Sequence, residues 1–113
     1  MTKEEHIKYW INTAKDDYDT FIILFNNDKY LYAFYLAHLT LEKIIKAHWV
    51  KDNEGNIPPK SHNLIYLHKN TKLELSNDEI KFLTKFNDFQ IQGRYPDYQF
   101  EIQKLLTNSF SND

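Results

Sequence analysis

Tyr30-Leu31-Tyr32-Ala33-Phe34-Tyr35-Leu36-Ala37-His38-Leu39 is the stretch whose reading decides the fold. Wound at 3.6 residues per turn, it is apolar nearly all round, and nothing in it alternates as a half-buried strand does. It runs on into Leu41-Glu42-Lys43-Ile44-Ile45-Lys46-Ala47. There Leu41, Ile44, Ile45 and then Val50 keep an apolar face while Glu42, Lys43 and Lys46 bring charge. The pattern predicts one long helix from about Lys29 to Asp52. A helix with such a first half is central in its bundle or covered by a second subunit. The apolar run from Tyr30 to Leu41 includes His38 and is too short to span a bilayer.

Working outward, a first helix is predicted from about Lys3 to Phe25. Thr2-Lys3-Glu4-Glu5 has capping-box spacing. Ile7, Trp10, Ile11, Ala14, Tyr18, Phe21, Ile22 and Phe25 then form one wide apolar face. Asn26-Asn27-Asp28 is a turn signal. After the central helix, Gly55, Pro58 and Pro59 mark a loop. A short third helix is expected over about Asn63 to Lys69, with Ser61 as N-cap and Leu64 and Leu67 inward. A fourth should span about Asn77 to Gln92, opened by a second capping-box candidate, Ser76-Asn77-Asp78-Glu79, and stopped by Gly93. Its inward stripes are Ile80, Leu83 and Phe86 or Asn87, and Phe82, Phe86 and Phe89. A last helix, about Tyr98 to Thr107, presents Ile102, Leu105 and Leu106, with residues 109–113 expected to fray. The fold class is all-α: a small up-and-down antiparallel bundle of four to five helices over residues 1–108.

Composition agrees. The 113 residues suit one domain, and only two glycines and three prolines interrupt it. Eight Tyr, eight Phe and two Trp rule out a disordered chain. The net charge of −2 gives no basic face for non-specific nucleic-acid binding, though local RNA contact stays open. Without cysteine there is no disulfide or thiolate chemistry, and a reducing cytoplasm fits. The opening Met1-Thr2-Lys3-Glu4-Glu5-His6 lacks the apolar run of a signal peptide.

Arg94 is the only arginine among fourteen basic residues, and it sits in Gly93-Arg94-Tyr95-Pro96-Asp97. Its planar fork suits a carboxylate or a phosphate better than a lysine does. Two partners are open: an internal carboxylate, with Glu42 the first candidate, or an external phosphate or ribose. Glu42 and Lys46 stand four apart in the favourable order, as a stabilising surface pair or with Lys46 as a second phosphate contact. His62 is either a buttress at the start of the third helix or a general base. His38, His48, His62 and His68 show no metal-ligand spacing, so no metal is expected, and no cofactor either. Gly55 and Gly93 are isolated, so no glycine-rich loop cradles a phosphate. Tyr30, Tyr32, Phe34 and Tyr35 could stack bases, but at helical spacing they read as core or interface.

Four segments together resemble the HEPN domain. They are Trp10-Ile11-Asn12-Thr13-Ala14-Lys15-Asp16-Asp17, Leu41 to Ala47 as quoted above, Ser61-His62-Asn63-Leu64, and Arg94-Tyr95-Pro96-Asp97. The resemblance implies a dimerising helical bundle and a prokaryotic setting beside a small nucleotidyltransferase. Many HEPN proteins are metal-independent ribonucleases of toxin–antitoxin or defence systems, marked by an Arg with a His four to six residues later. This chain has Tyr98, Gln99 and Phe100 at those offsets and no His after His68. It therefore looks like the Arg-Tyr-Pro-Asp branch, which implies nucleotide binding more than catalysis; the candidate nucleotide or phosphate contacts are Arg94, Tyr95 and Asp97, with Lys46 and His62 from the reading of the residues above. The expectation is a cytoplasmic, homodimeric, nucleotide- or RNA-associated accessory module, with no membrane contact and no catalytic residues assigned. Two alternatives stand beside it: a ribonuclease with an atypical site built from Arg94, Tyr95 and His62, and a pure protein-interaction module.

Overall fold

Helix α1 spans Lys3–Asn26 and α2 spans Tyr30–Asp52 in the computed structural model, which describes residues 1–87 and 104–110. The short α3 is Leu64–Lys69, α4 covers Asn77–Asn87, and residues 104–110 form a further helix, α5. No strand occurs among the described residues.

The helix starts follow their side chains. Thr2 and Glu5 close a reciprocal capping box: the Thr2 hydroxyl accepts from the Glu5 N–H at 3.1 Å, and the Thr2 N–H donates to the Glu5 carboxylate at 3.0 Å. Those bonds hold the Glu5 carboxyl below its ordinary pKa, the backbone donor acting most strongly. Ser76 and Glu79 repeat the device, at 3.1 Å in each direction. At α3 the sequence expectation needs correction. Asn63, not Ser61, is the N-cap, its side chain accepting from the Tyr66 N–H at 3.1 Å. The Ser61 hydroxyl instead accepts from the Asn63 N–H, a turn bond just ahead of the helix.

α1 and α2 form an antiparallel hairpin. Between them Asp28 takes a positive φ of 61°, a conformation open to Asp through local bonding. Its carboxylate accepts the Tyr30 hydroxyl at 2.8 Å. At the far end the Lys3 ammonium donates to the carbonyls of Val50 and Asn53, both at 2.6 Å, so the start of α1 ties down the end of α2. Midway, Lys43 pairs with Asp17 at 2.7 Å. α3 and α4 also meet antiparallel, with the Leu64 N–H donating to the Asn87 side chain.

The core gathers from all five helices: Phe21, Ala33, Phe34, Ala37, Leu41, Ile45, Leu64, Leu67, Leu83, Phe86, Leu105 and Leu106 are buried together. Phe34 meets Phe86 edge to face at 5.0 Å. The α1 stripe lies as the sequence predicts, with Ile11, Ala14 and Phe21 buried and Tyr18, Ile22 and Phe25 packed against the core.

Of the two readings of residues 30–39, the fold does not show the central helix: Ala33, Phe34 and Ala37 face the core, but Leu31, Tyr32 and Tyr35 are 48–62% exposed. At the C-terminus, Ser109 and Phe110 continue α5 where fraying was expected. Ser109 is buried with its hydroxyl donating to the Leu105 carbonyl at 2.8 Å, and Phe110 meets Tyr18 at 5.6 Å. These contacts supply the cover that a free end lacks.

Candidate functional site

The second half of α2 places Glu42 in the interior, 4% exposed, where an ionised carboxylate needs partners. It has two, one on each oxygen. Oε2 accepts from the Lys46 ammonium at 3.1 Å, one turn along the same helix. Oε1 accepts from His62 Nδ1 at 2.8 Å, across from the residues leading into α3. A carboxylate only accepts, so His62 carries its hydrogen on Nδ1. The His62 side chain is otherwise 88% exposed, and its Nε2 points free of any partner among the described residues. In the neutral ring that nitrogen is an acceptor.

Lys46 is also buried, and its ammonium stands 5.3 Å from the centre of the Trp10 ring on α1, within cation–π range. The Glu42–Lys46 pair is thus an interior pair, not the surface pair its spacing suggested. α1 supplies the cover, and periodicity along α2 alone gives no sign of it. Trp10 is the residue that sequence reasoning missed here. The signal was available: an aromatic on the inward face of α1 at the level where the antiparallel hairpin brings the end of α2.

Beside this cluster lies an open hollow of about 430 Å³, lined among the described residues by Tyr35, Leu36, His38, Leu39, Glu42 and His62. Its surface is mostly apolar, with the carboxylate and the imidazoles as polar points. His38 is 6% exposed and its ring lies 5.5 Å from that of Phe86. Burial lowers the His38 pKa below its ordinary value; the Glu42 carboxylate pulls it up, and His62 adds to the depression.

The structure therefore brings together two of the sequence-derived candidates, Lys46 and His62, through Glu42. Arg94, Tyr95 and Asp97 lie outside the described residues, as does the Glu42–Arg94 pairing. Among the described residues no group of three or more His, Asp or Glu is disposed to hold a metal ion, and no helix is long and apolar enough to cross a membrane.

What this arrangement can do is set by its charges. Lys46 is neutralised by Glu42 and shielded by Trp10, so it supports the carboxylate more than it offers a free cation. His62 offers an oriented ring nitrogen at the rim of an apolar recess.

No curated protein and no solved structure matches the chain. A family model does, under the description HEPN domain, over residues 7–110. The match takes in α2, Glu42, Lys46 and His62 together, and on its extent the chain belongs to the HEPN domain family.

Proposed function

We propose that this protein is a nucleotide- or RNA-associated accessory module of a cytoplasmic, prokaryotic two-component system of toxin–antitoxin or defence type. It works as a homodimer beside a small nucleotidyltransferase. Family membership supports the association with nucleotide or RNA. The single observation that carries the site is the buried Glu42 carboxylate, which pairs with Lys46 on one oxygen and holds His62 at the rim of the hollow with the other. Arg94, Tyr95 and Asp97 are proposed to serve the phosphate and ribose end of the ligand. The outward stripe of Leu31, Tyr32 and Tyr35 supports self-association, because a contiguous apolar patch marks an interface. The non-catalytic reading is favoured by the chain's lack of any His after His68, which leaves Arg94 without the following His of the ribonuclease signature.

One observation favours the ribonuclease as a second reading. A buried carboxylate on Nδ1 fixes the tautomer that makes His62 Nε2 a base, the arrangement a 2′-hydroxyl deprotonation needs. Calorimetric titration of purified protein with ribonucleotides and short RNA tests the first reading, and incubation with structured and single-stranded RNA tests the second. Salt-sensitive binding with intact RNA is expected. Cleavage lost in both Arg94→Ala and His62→Ala would establish the ribonuclease instead, and the absence of any binding would contradict both readings.

A further inference from the structure

We infer that the hollow beside Glu42 takes a nucleobase, and that the phosphate of any bound nucleotide lies outside it. This rests on the nucleotide- or RNA-associated reading above and assigns which part of the ligand this recess holds.

Charge and shape select the occupant. The walls are apolar, from Tyr35, Leu36 and Leu39, and the volume of about 430 Å³ falls within the range of small-molecule sites. The polar groups at the wall are a carboxylate and two imidazoles; no Lys or Arg is among the described lining residues. Among the described residues the nearby cation is Lys46, already bound to Glu42 and lying against Trp10. A phosphate entering this space meets the Glu42 carboxylate with no free counter-charge among the described residues, which is repulsive. A flat heteroaromatic ring meets apolar surface on its faces. Its N–H edge meets an acceptor, His62 Nε2, whose direction is fixed by the 2.8 Å bond from Nδ1 to Glu42. His62 is then the contact residue and Glu42 a positioning residue acting through it. Nucleobases with an exocyclic amino group have the complementary edge, and stacking on side chains tolerates any base face.

The test is calorimetric titration of the full chain with the four ribonucleosides, their 5′-monophosphates, ribose 5-phosphate and a short mixed-sequence RNA. At least one amino-bearing nucleoside should bind nearly as well as its monophosphate, and ribose 5-phosphate should not compete. His62→Ala, which removes an exposed side chain, should weaken that nucleoside about three- to tenfold, the effect of one hydrogen bond. Leu39→Glu, which puts a second carboxylate into the recess, should abolish nucleoside binding while the far-ultraviolet circular dichroism stays helical. Monophosphates and ribose 5-phosphate binding alike, with no nucleoside bound, would overturn this inference and leave the broader reading standing. Binding of none of these ligands, RNA included, would sink both.

Discussion

The two halves of α2 handle their side chains in opposite ways. Residues 30–39 carry almost no charge, yet Leu31, Tyr32 and Tyr35 stand in solvent. Residues 40–50 carry Glu42, Lys46 and His48, and all three are buried. The reason is what each half packs against. The first half has the core on one side only, through Ala33, Phe34 and Ala37. The second half is wrapped by α1, through Trp10 and Asp17, and by the approach to α3, through His62. On the proposed reading, the apolar surface left outside is the place for a partner and the charge taken inside serves recognition.

The sharpest way to break this contrast is to remove one member of the interior pair. Glu42→Ala should destabilise the fold by about 3–5 kcal/mol, since it leaves the Lys46 ammonium buried without its carboxylate. Lys46→Ala should cost less, because Glu42 keeps His62 on its other oxygen. In urea denaturation the double variant should cost less than the sum; strict additivity would show that the two groups do not interact. Within the other half, Phe34→Ala should cost about 3–5 kcal/mol, because Phe34 is fully buried against Phe86. The next effect is local. Thr2→Ala, Asn63→Ala and Ser76→Ala should each cost about 1 kcal/mol by loss of an N-cap bond, and Ser61→Ala should cost less than Asn63→Ala.

Acid should act on the boundary between the halves, where His38 lies. Burial lowers its pKa in the folded state, so the unfolded chain takes up the proton more readily. Stability should therefore be independent of this group above the ordinary value of 6.5 and fall as the pH drops below it, until the folded pKa is passed. Melting temperature followed from pH 8 to pH 5 should show this slope in the wild type and a shallower one in His38→Gln. The smallest effect belongs to the outward face: Tyr32→Ala should change monomer stability by no more than about 0.5 kcal/mol. The combined change Leu31→Glu and Tyr32→Glu should instead lower the mass seen by light scattering from that of a dimer. A wild-type mass of one chain, 13.7 kDa, would contradict self-association.

Much of the fold was legible from local signals. The Thr2 and Ser76 boxes and the α1 stripe lie within single helices, where spacing alone decides which side chains meet. The ends of α1, α2 and α3 fall within a residue or so of their predicted positions. The Asn63 cap was missed because Ser61, Asn63 and their neighbours offer competing caps within three residues, and only the backbone geometry selects one. That residues 30–39 carry more apolar surface than one bundle covers was legible; which of them face outward was not, because ten apolar residues give no period, although Ala33 and Ala37, small and four apart, mark the closely packed side. At the site, Glu42 was legible as a residue needing a partner. That His62, twenty residues away, supplies one depends on how the loop after α2 returns, which no local pattern encodes. Arg94 was the most prominent residue in the sequence and lies outside the described residues.

Nitrogen-15 NMR of the histidine rings during titration with ribonucleotides tests the central claim most directly. The chain has five histidines, and His62 and His38 line the hollow. On saturation with the tightest-binding ribonucleotide, the His62 Nε2 signal should move most, His38 should follow, and His6 and His68 should stay in place. Saturable binding that leaves His62 and His38 unmoved would contradict the account, because the ligand would then sit away from the cluster held by Glu42.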